Sequence, residues 1–176
     1  MDGTISVEST PGSGSTFLVI LPFNTTAVLA KQNKAQKHQA SLPLSLLLVE
    51  DEPVSQMIVQ ELLSDEGYTV KVASNGPEAL KKVTKHTFDV ILMDLRMPYM
   101  DGFETTQHIR LLPDKTIAST KIVAFTGDVM KETVQKCLDN GMDDVIAKPV
   151  DIAEINRVLS SLMLNPTKTQ PKNLKK

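Results

Sequence analysis

Apolar residues follow two rhythms along this chain. From Leu44 to Leu164, short and nearly unbroken apolar runs alternate with longer stretches in which apolar residues recur at helical spacing. Unbroken β-branched runs bounded by turn residues predict strands, and the wider spacing predicts helices. Leu44 to Val49 is the first such strand. Pro53, in a first-turn position, opens a helix whose Val54, Met57, Ile58 and Leu62 repeat at helical intervals until Gly67 stops it. A short strand follows from Thr69 to Ala73, then a helix capped by Asn75-Gly76-Pro77 that runs to about Lys85. Val90 to Met93 forms the third strand, followed by a helix from about Asp101 to Leu112. Lys121 to Phe125 forms the fourth, followed by a helix from about Asp128 to Asn140 that ends at Gly141. Val145 to Ala147 and a helix from Ile152 to Leu164 complete the series. Five strands alternating with five helices predict an α/β domain over residues 44–164, with a five-stranded parallel sheet and helices on both faces. The strands are nearly continuous apolar runs, as burial on both faces favours.

The flanks break this rhythm. Thr4-Ile5-Ser6-Val7-Glu8 alternates apolar with polar, Pro11-Gly12-Ser13-Gly14 turns, and Phe17 to Pro22 runs back, so residues 1–24 read as a β-hairpin. A lone hairpin is marginally stable in water, and this one is expected to belong to a domain whose remainder lies elsewhere. Residues 25–43 contain the polar stretch Lys31 to Gln39, carry no apolar stripe, and read as a linker. Residues 165–176 are basic and broken by Pro166 and Pro171. With no aromatic or helical face beside them, these lysines describe a flexible solvated tail rather than a nucleic-acid patch.

Composition narrows the partners. The chain is 41% apolar and 23% charged with a net charge of −2, which gives no general drive toward nucleic acid or an anionic membrane. Neither is expected as a partner. Cys137 has no second cysteine to pair with and lies in a helical pattern, so it is expected to be a small apolar filler in a reducing compartment. No apolar run approaches the roughly 18 residues of a membrane span, and the N-terminus carries no signal pattern. The expected location is cytoplasmic, within a parent protein that could itself be membrane-anchored.

The polar residues that close the strands change the picture. Glu50 and Asp51 follow the first strand, Asp94 ends the third, Thr126 the fourth and Lys148 the fifth. In open parallel sheets, ligands sit at the carboxyl ends of the strands, near the point where strand order reverses. Singly, each residue has a plainer role. Glu50 and Asp51 could favour the positive end of the helix opened by Pro53. Thr126 could cap the next helix, Lys148-Pro149 could be a strand-exit turn with a solvated lysine, and Asp94 could serve the following turn. Together they describe a site. Three carboxylates around one pocket repel one another unless a cation joins them, and a hard dication with oxygen ligands resolves that. Magnesium usually keeps waters and so leaves room for phosphate oxygens. Lys148 supplies a point charge and Thr126 a hydroxyl, both suited to phosphoryl oxygens. Asp94 is then a candidate nucleophile that forms an acyl phosphate.

At these residues the chain resembles a known family. Leu47-Leu48-Val49-Glu50-Asp51-Glu52-Pro53, Val90-Ile91-Leu92-Met93-Asp94-Leu95-Arg96-Met97-Pro98-Tyr99-Met100-Asp101-Gly102, Val123-Ala124-Phe125-Thr126 and Ala147-Lys148-Pro149-Val150 are similar, in order and spacing, to the receiver domain of two-component response regulators. The resemblance covers about residues 44–164. It implies a flavodoxin-like fold, Asp94 as phosphoacceptor, and Thr126 and Lys148 as phosphate-sensing residues. It also implies a magnesium site made by Glu50, Asp51, Asp94 and the backbone carbonyl of Arg96. The N-terminal hairpin, from Asp2-Gly3-Thr4-Ile5 to Leu21-Pro22-Phe23, resembles the last hairpin of a histidine-kinase ATP-binding domain. The other kinase elements have no counterpart, and His38, His86 and His108 lack the motif around a phosphorylated histidine. The arrangement resembles the C-terminal part of a hybrid sensor histidine kinase. What it implies is a phosphorelay receiver: a kinase phosphohistidine donates to Asp94 with magnesium, and Asp94 passes the group to a histidine phosphotransfer domain. The expected contact face is the first helix, from Val54 to Leu63, beside the loop after the fifth strand.

Two positions qualify this expectation. Receivers commonly carry an aromatic residue three positions before the lysine, and here that position is Val145. A small residue stiff at χ1 should mute the inward ring motion that signals phosphorylation, which suits a relay better than the switching of a large output domain. Asp128 places a further acid after Thr126 and, if it points inward, is expected to alter how fast the phosphoryl group is lost. Two rivals stand beside the relay. One is a stand-alone response regulator acting by protein binding. The other is a phosphatase of the haloacid-dehalogenase type, which needs a second aspartate two residues after the nucleophile, where this chain has Arg96.

Overall fold

The computed structural model describes residues 3–12, 14–20 and 44–164. The linker expected over 25–43, the tail expected over 165–176 and the hairpin end at Pro22 lie outside the described residues. The chain divides into two units, each described by itself.

The first is the expected hairpin. Strands β1 (Thr4–Thr10) and β2 (Gly14–Ile20) pair antiparallel, with Ile5 opposite Val19 and Val7 opposite Phe17. Residues opposite one another share a face, so these four make one apolar quartet. All four side chains are exposed.

The second unit runs β3 (Ser45–Val49), α1 (Pro53–Asp65), β4 (Thr69–Ala73), α2 (Gly76–Val83), β5 (Val90–Asp94), α3 (Gly102–Arg110), α4 (Lys115–Ala118), β6 (Lys121–Thr126), α5 (Lys131–Asp139), β7 (Asp144–Ala147) and α6 (Ile152–Leu164). The strands form one parallel sheet in the order β4-β3-β5-β6-β7. All five expected strands and all five expected helices are present. One element is additional: α4 is a single turn, begun by the Asp114 side chain accepting from the backbone of Thr116 and Ile117. A single turn is too short to show helical periodicity. Helix α5 begins three residues later than its apolar pattern predicts, because residues 128–130 form a turn in which Asp128 accepts from the Met130 backbone.

Each face of the sheet has its own core. Leu47, Val49, Ile91, Met93, Ile122 and Ala124 point toward α2, α3 and α5, where Ala79, Val83, Ile109 and Cys137 meet them. Leu46, Leu48, Val90, Leu92, Val123 and Phe125 point the other way, onto Val59 and Leu63 of α1 and Ile155, Val158 and Leu159 of α6. Cys137 is a buried filler, as its pattern predicts. Strand order reverses between β3 and β5: the chain leaves β3 to one side for β4, then crosses back to β5 on the other side. The helices that follow these two strands pack on opposite faces, which opens a crevice at their carboxyl ends.

Candidate active site

The residues flanking that crevice come from strand ends held in register. Val49 pairs with Met93 across β3 and β5, so Glu50 and Asp94, the next residues on each strand, emerge side by side. The Glu50 N–H donates to the Ala73 carbonyl at 3.0 Å, which extends the β3–β4 ladder one residue past the strand. Glu50, Asp94 and Thr126 are 1%, 6% and 2% exposed, and Asp51 is half-buried. Ligand oxygens of Glu50, Asp51 and Asp94 all lie within 4.8 Å of one another. After β5 the chain must turn sharply to begin α3. A Cβ at Gly102 would lie 2.2 Å from the Asp94 carbonyl oxygen, so only glycine lets α3 start this close to the strand.

Lys148 reaches into the trio from the end of β7. Its Nζ donates to Glu50 Oε2 at 2.5 Å and to Asp94 Oδ2 at 2.7 Å, and it sits 4.8 Å from the centroid of the Phe125 ring. Its backbone N–H donates to the Thr126 carbonyl at 2.8 Å, tying the ends of β6 and β7 together beside the site. The peptide bond between Lys148 and Pro149 is cis. The other Asp94 oxygen, Oδ1, accepts from the Arg96 backbone N–H at 3.0 Å. Thr126 Oγ1 accepts from the Asp128 N–H at 3.1 Å, so its own hydrogen is free to point at an incoming oxygen.

The charge does not balance. Among the described residues three carboxylates face one ammonium, a net of two negative charges at largely buried positions. Burial pushes the Glu50 carboxyl up, and neighbouring Asp94 adds to the rise against the opposing pull of Lys148. Lys148 shows the reverse contest. Burial lowers it, but its hydrogen bonds to Asp94 and Glu50 prevail and hold the ammonium above its ordinary value. Carboxylate oxygens are hard donors, and a trio with two uncompensated charges fits a hard dication of the magnesium type.

The plainer roles open to these residues are filled by others. Helix α1 is capped by Glu52, whose oxygens accept from Val54 N at 3.0 Å and Ser55 N at 2.5 Å, leaving Glu50 and Asp51 out of the cap. Met130, not Thr126, is the N-cap of α5. Lys148 is paired rather than solvated. Asp128 is turned away from the pocket: its Oδ1 accepts from Met130 N at 3.0 Å and its Oδ2 from the Thr133 hydroxyl at 2.9 Å. Those bonds, the backbone one foremost, hold its carboxyl below the usual range. Arg96 is exposed, and no carboxylate stands two residues after Asp94 for a dehalogenase-type general acid. Val145 is half-buried against the core on the α3 face.

Sequence reasoning passed over Gln56, whose side chain holds the Glu50 backbone. The available signal was position: helical side chains lean toward the N-terminus, so a residue early in α1 can reach back over the loop before it.

The model for the response regulator receiver domain matches residues 46–160. The chain belongs to this family. Among curated relatives, the sensor protein EvgS of Escherichia coli K12 is 32% identical over 92% of the chain. Hybrid signal transduction histidine kinase B of Dictyostelium discoideum is 44% identical over 62% of it. The chain spans only 13% and 6% of the lengths of these two proteins. Among solved structures, the receiver domain of a Pseudomonas aeruginosa PAO1 sensor histidine kinase matches with a TM-score of 0.62 and 34% identity. That alignment covers 68% of this chain and 97% of the other, which carries a magnesium ion coordinated in its active-site cleft. The chemotaxis protein CheY4 of Vibrio cholerae matches at 0.63 and 30%, covering 68% and 98%. This receiver therefore has the five-stranded parallel fold of its relatives. None of its described helices is long and apolar enough to cross a membrane.

Proposed function

We propose that this receiver is a relay station of a hybrid sensor histidine kinase, accepting a phosphoryl group from a phosphohistidine onto Asp94 and passing it to a histidine phosphotransfer domain. The observation that carries the reading is the charge imbalance at the switch point: Glu50, Asp51 and Asp94 lie within 4.8 Å, and among the described residues the one cation there, Lys148, pairs with Glu50 and Asp94 only. Glu50, Asp51 and Asp94, with the backbone carbonyl of Arg96, are the proposed magnesium ligands. Bound there, the dication supplies charge neutralisation between the carboxylates and the transferring group.

The chain's own residues then do the positioning. An Asp94 oxygen attacks phosphorus as the phosphorus–nitrogen bond of the donor breaks. The electron pair returns to the imidazole nitrogen, which takes up a proton from water. The Arg96 N–H holds one Asp94 oxygen and so orients the other. Lys148, already within hydrogen-bond distance of Asp94, is placed to follow negative charge as it moves onto phosphoryl oxygens, and the Thr126 hydroxyl is placed to donate to one of them. The return transfer to a second histidine is the same displacement reversed.

Two further features support the relay. The alignments with EvgS and with sensor histidine kinase AruS of Pseudomonas aeruginosa each take in 92% of the chain, more than the receiver alone supplies. We assign residues 1–24 to the last hairpin of a kinase ATP-binding domain, whose body would cover the exposed apolar quartet. On α1, Val54, Met57 and Ile58 are 57%, 62% and 49% exposed while Val59 and Leu63 fill the core. That apolar strip beside the cleft is the proposed seat of the histidine-bearing helix.

A chase experiment tests the reading. The receiver is phosphorylated with labelled acetyl phosphate and magnesium, desalted, and mixed with isolated histidine phosphotransfer domains. Acyl phosphate is labile to alkali and phosphohistidine is not, so relay function moves the label into an alkali-stable form on the partner. Release of all label as inorganic phosphate, with every partner offered, would count against a relay and favour a receiver that acts by binding alone.

A further inference from the structure

One side chain outside the acidic trio bonds the backbone that carries part of it. Gln56, half-buried in α1, sends its carboxamide back across the helix start. Its Nε2 donates to the Glu50 backbone carbonyl at 2.5 Å and to Ser74 Oγ at 3.2 Å. Both amide hydrogens are thereby used, and the carboxamide has one orientation. The Glu50 residue is consequently held at both ends, its N–H by the Ala73 carbonyl and its C=O by Gln56.

The consequence falls on Asp51. The Glu50 carbonyl lies in the peptide plane that joins Glu50 to Asp51, so fixing that oxygen fixes where the Asp51 Cα sits and leaves only rotation about its own bonds to aim the side chain. The three acids are not held alike. Lys148 grips the carboxylates of Glu50 and Asp94, and the Arg96 N–H adds to its hold on Asp94. Among the described residues no hydrogen bond or ion pair holds the Asp51 carboxylate, so its aim depends on its backbone. Ser74, through its own N–H to Glu78 Oε2 at 2.8 Å, anchors the far side of the clip to the start of α2.

We infer that Gln56 is a positioning residue for the metal site: by clamping the Glu50–Asp51 peptide it pre-aims Asp51 at the ion without touching it. This rests on the reading of Glu50, Asp51 and Asp94 as a magnesium site. It has a distinctive consequence. Magnesium demands near-ideal octahedral geometry, whereas calcium tolerates flexible ligands. Loosening Asp51 should therefore weaken magnesium and leave calcium nearly unaffected.

The test is calorimetric titration of the whole chain with each ion. Gln56→Met keeps length and bulk but removes the donor. We expect it to bind magnesium about tenfold more weakly, the lower end of what lost supporting contacts around metal ligands cost. Calcium affinity should stay within about twofold, and the thermal midpoint without metal should be preserved. Gln56→Asn, polar but one methylene short, should behave the same way and serves if the methionine variant does not fold. Ser74→Ala, which leaves the Glu50 contact in place, should keep magnesium affinity within about twofold of wild type. Unchanged magnesium affinity in Gln56→Met and Gln56→Asn, or equal losses for both ions, would overturn the assignment. A wild-type chain that binds no magnesium would instead overturn the metal reading beneath it.

Discussion

Two charged clusters occupy opposite ends of the same parallel sheet. At the end where strands begin, Asp143 receives Arg110 Nη2 at 3.0 Å, Lys121 Nζ at 2.9 Å and the Ile122 N–H at 2.9 Å. Arg110 turns its remaining donors to the carbonyls of Ala118, Thr120 and Gly141, at 2.8, 2.7 and 2.9 Å. Burial lowers Arg110, and Asp143 opposes the fall. At the end where strands finish, Glu50 and Asp94 share Lys148, with Asp51 beside them. Residue types and burial are similar, yet the first cluster is closed and the second is open. In the first, the carboxylate is matched by two cations whose bonds knit α3, α4, β6 and the approach to β7. In the second, among the described residues, two negative charges are unmatched and no bond holds the Asp51 carboxylate. Buried charge alone does not mark a site; a cluster of like charges packed together with too few opposite partners does.

Breaking the closed cluster should produce the largest effect on folding. Asp143→Ala removes the carboxylate that Arg110, Lys121 and the Ile122 N–H all bond, and is expected to cost about 3–5 kcal/mol, read by urea denaturation. Magnesium affinity should stay within about twofold, because the two clusters share no residue. A loss of magnesium binding without a loss of stability would dissolve the distinction.

Lys148→Met opens the open cluster further. Without metal the thermal midpoint should fall, because Glu50 and Asp94 then lose the cation they share beside Asp51. The rise in midpoint on adding magnesium should exceed that of wild type. Equal rises would mean that lysine and metal do not share these carboxylates.

Glu50→Gln acts in the opposite sense. Burial raises the Glu50 carboxyl in the folded chain, so the stability linked to its protonation is fully present below its ordinary value of 4.5 and is lost as pH rises through the raised folded value. The metal-free wild type should lose stability across that window and Glu50→Gln should not. Magnesium competes with the same proton, so wild-type affinity should begin to fall while the pH is still above 4.5. A flat profile through this window would remove Glu50 from the site.

The smallest effect belongs to Asp128→Ala. Its carboxylate serves the start of α5 rather than the pocket, so the acyl-phosphate lifetime should be unchanged while the thermal midpoint drops slightly. A changed lifetime would restore Asp128 to the chemistry.

The strands were legible because burial on both faces leaves an uninterrupted apolar run, as in Leu46 to Val49 and Val90 to Met93. The helices were legible from their spacing and from Pro53, Asn75 and Gly141, each of which stands at a helix boundary. The four strand-end positions of the site were legible for the same reason, since a polar group ending an apolar run must emerge at the sheet edge. What escaped were contacts from a side chain to a distant or neighbouring backbone. Gln56 on the Glu50 carbonyl and Arg110 on Gly141 and Ala118 leave no periodic trace, because a backbone acceptor is the same at every residue. The turn of Asp128 escaped because a carboxylate after a strand looks alike whether it enters a pocket or begins a helix.

Intact-mass measurement after incubation with acetyl phosphate, with magnesium and with a chelator, tests the role of the open cluster most directly. One phosphate should appear on the wild-type chain with magnesium, none with the chelator, and none on Asp94→Asn under either condition. A phosphate adduct that persists in Asp94→Asn, or that forms as readily on the wild type in chelator, would contradict the assignment of Asp94 as a metal-assisted acceptor.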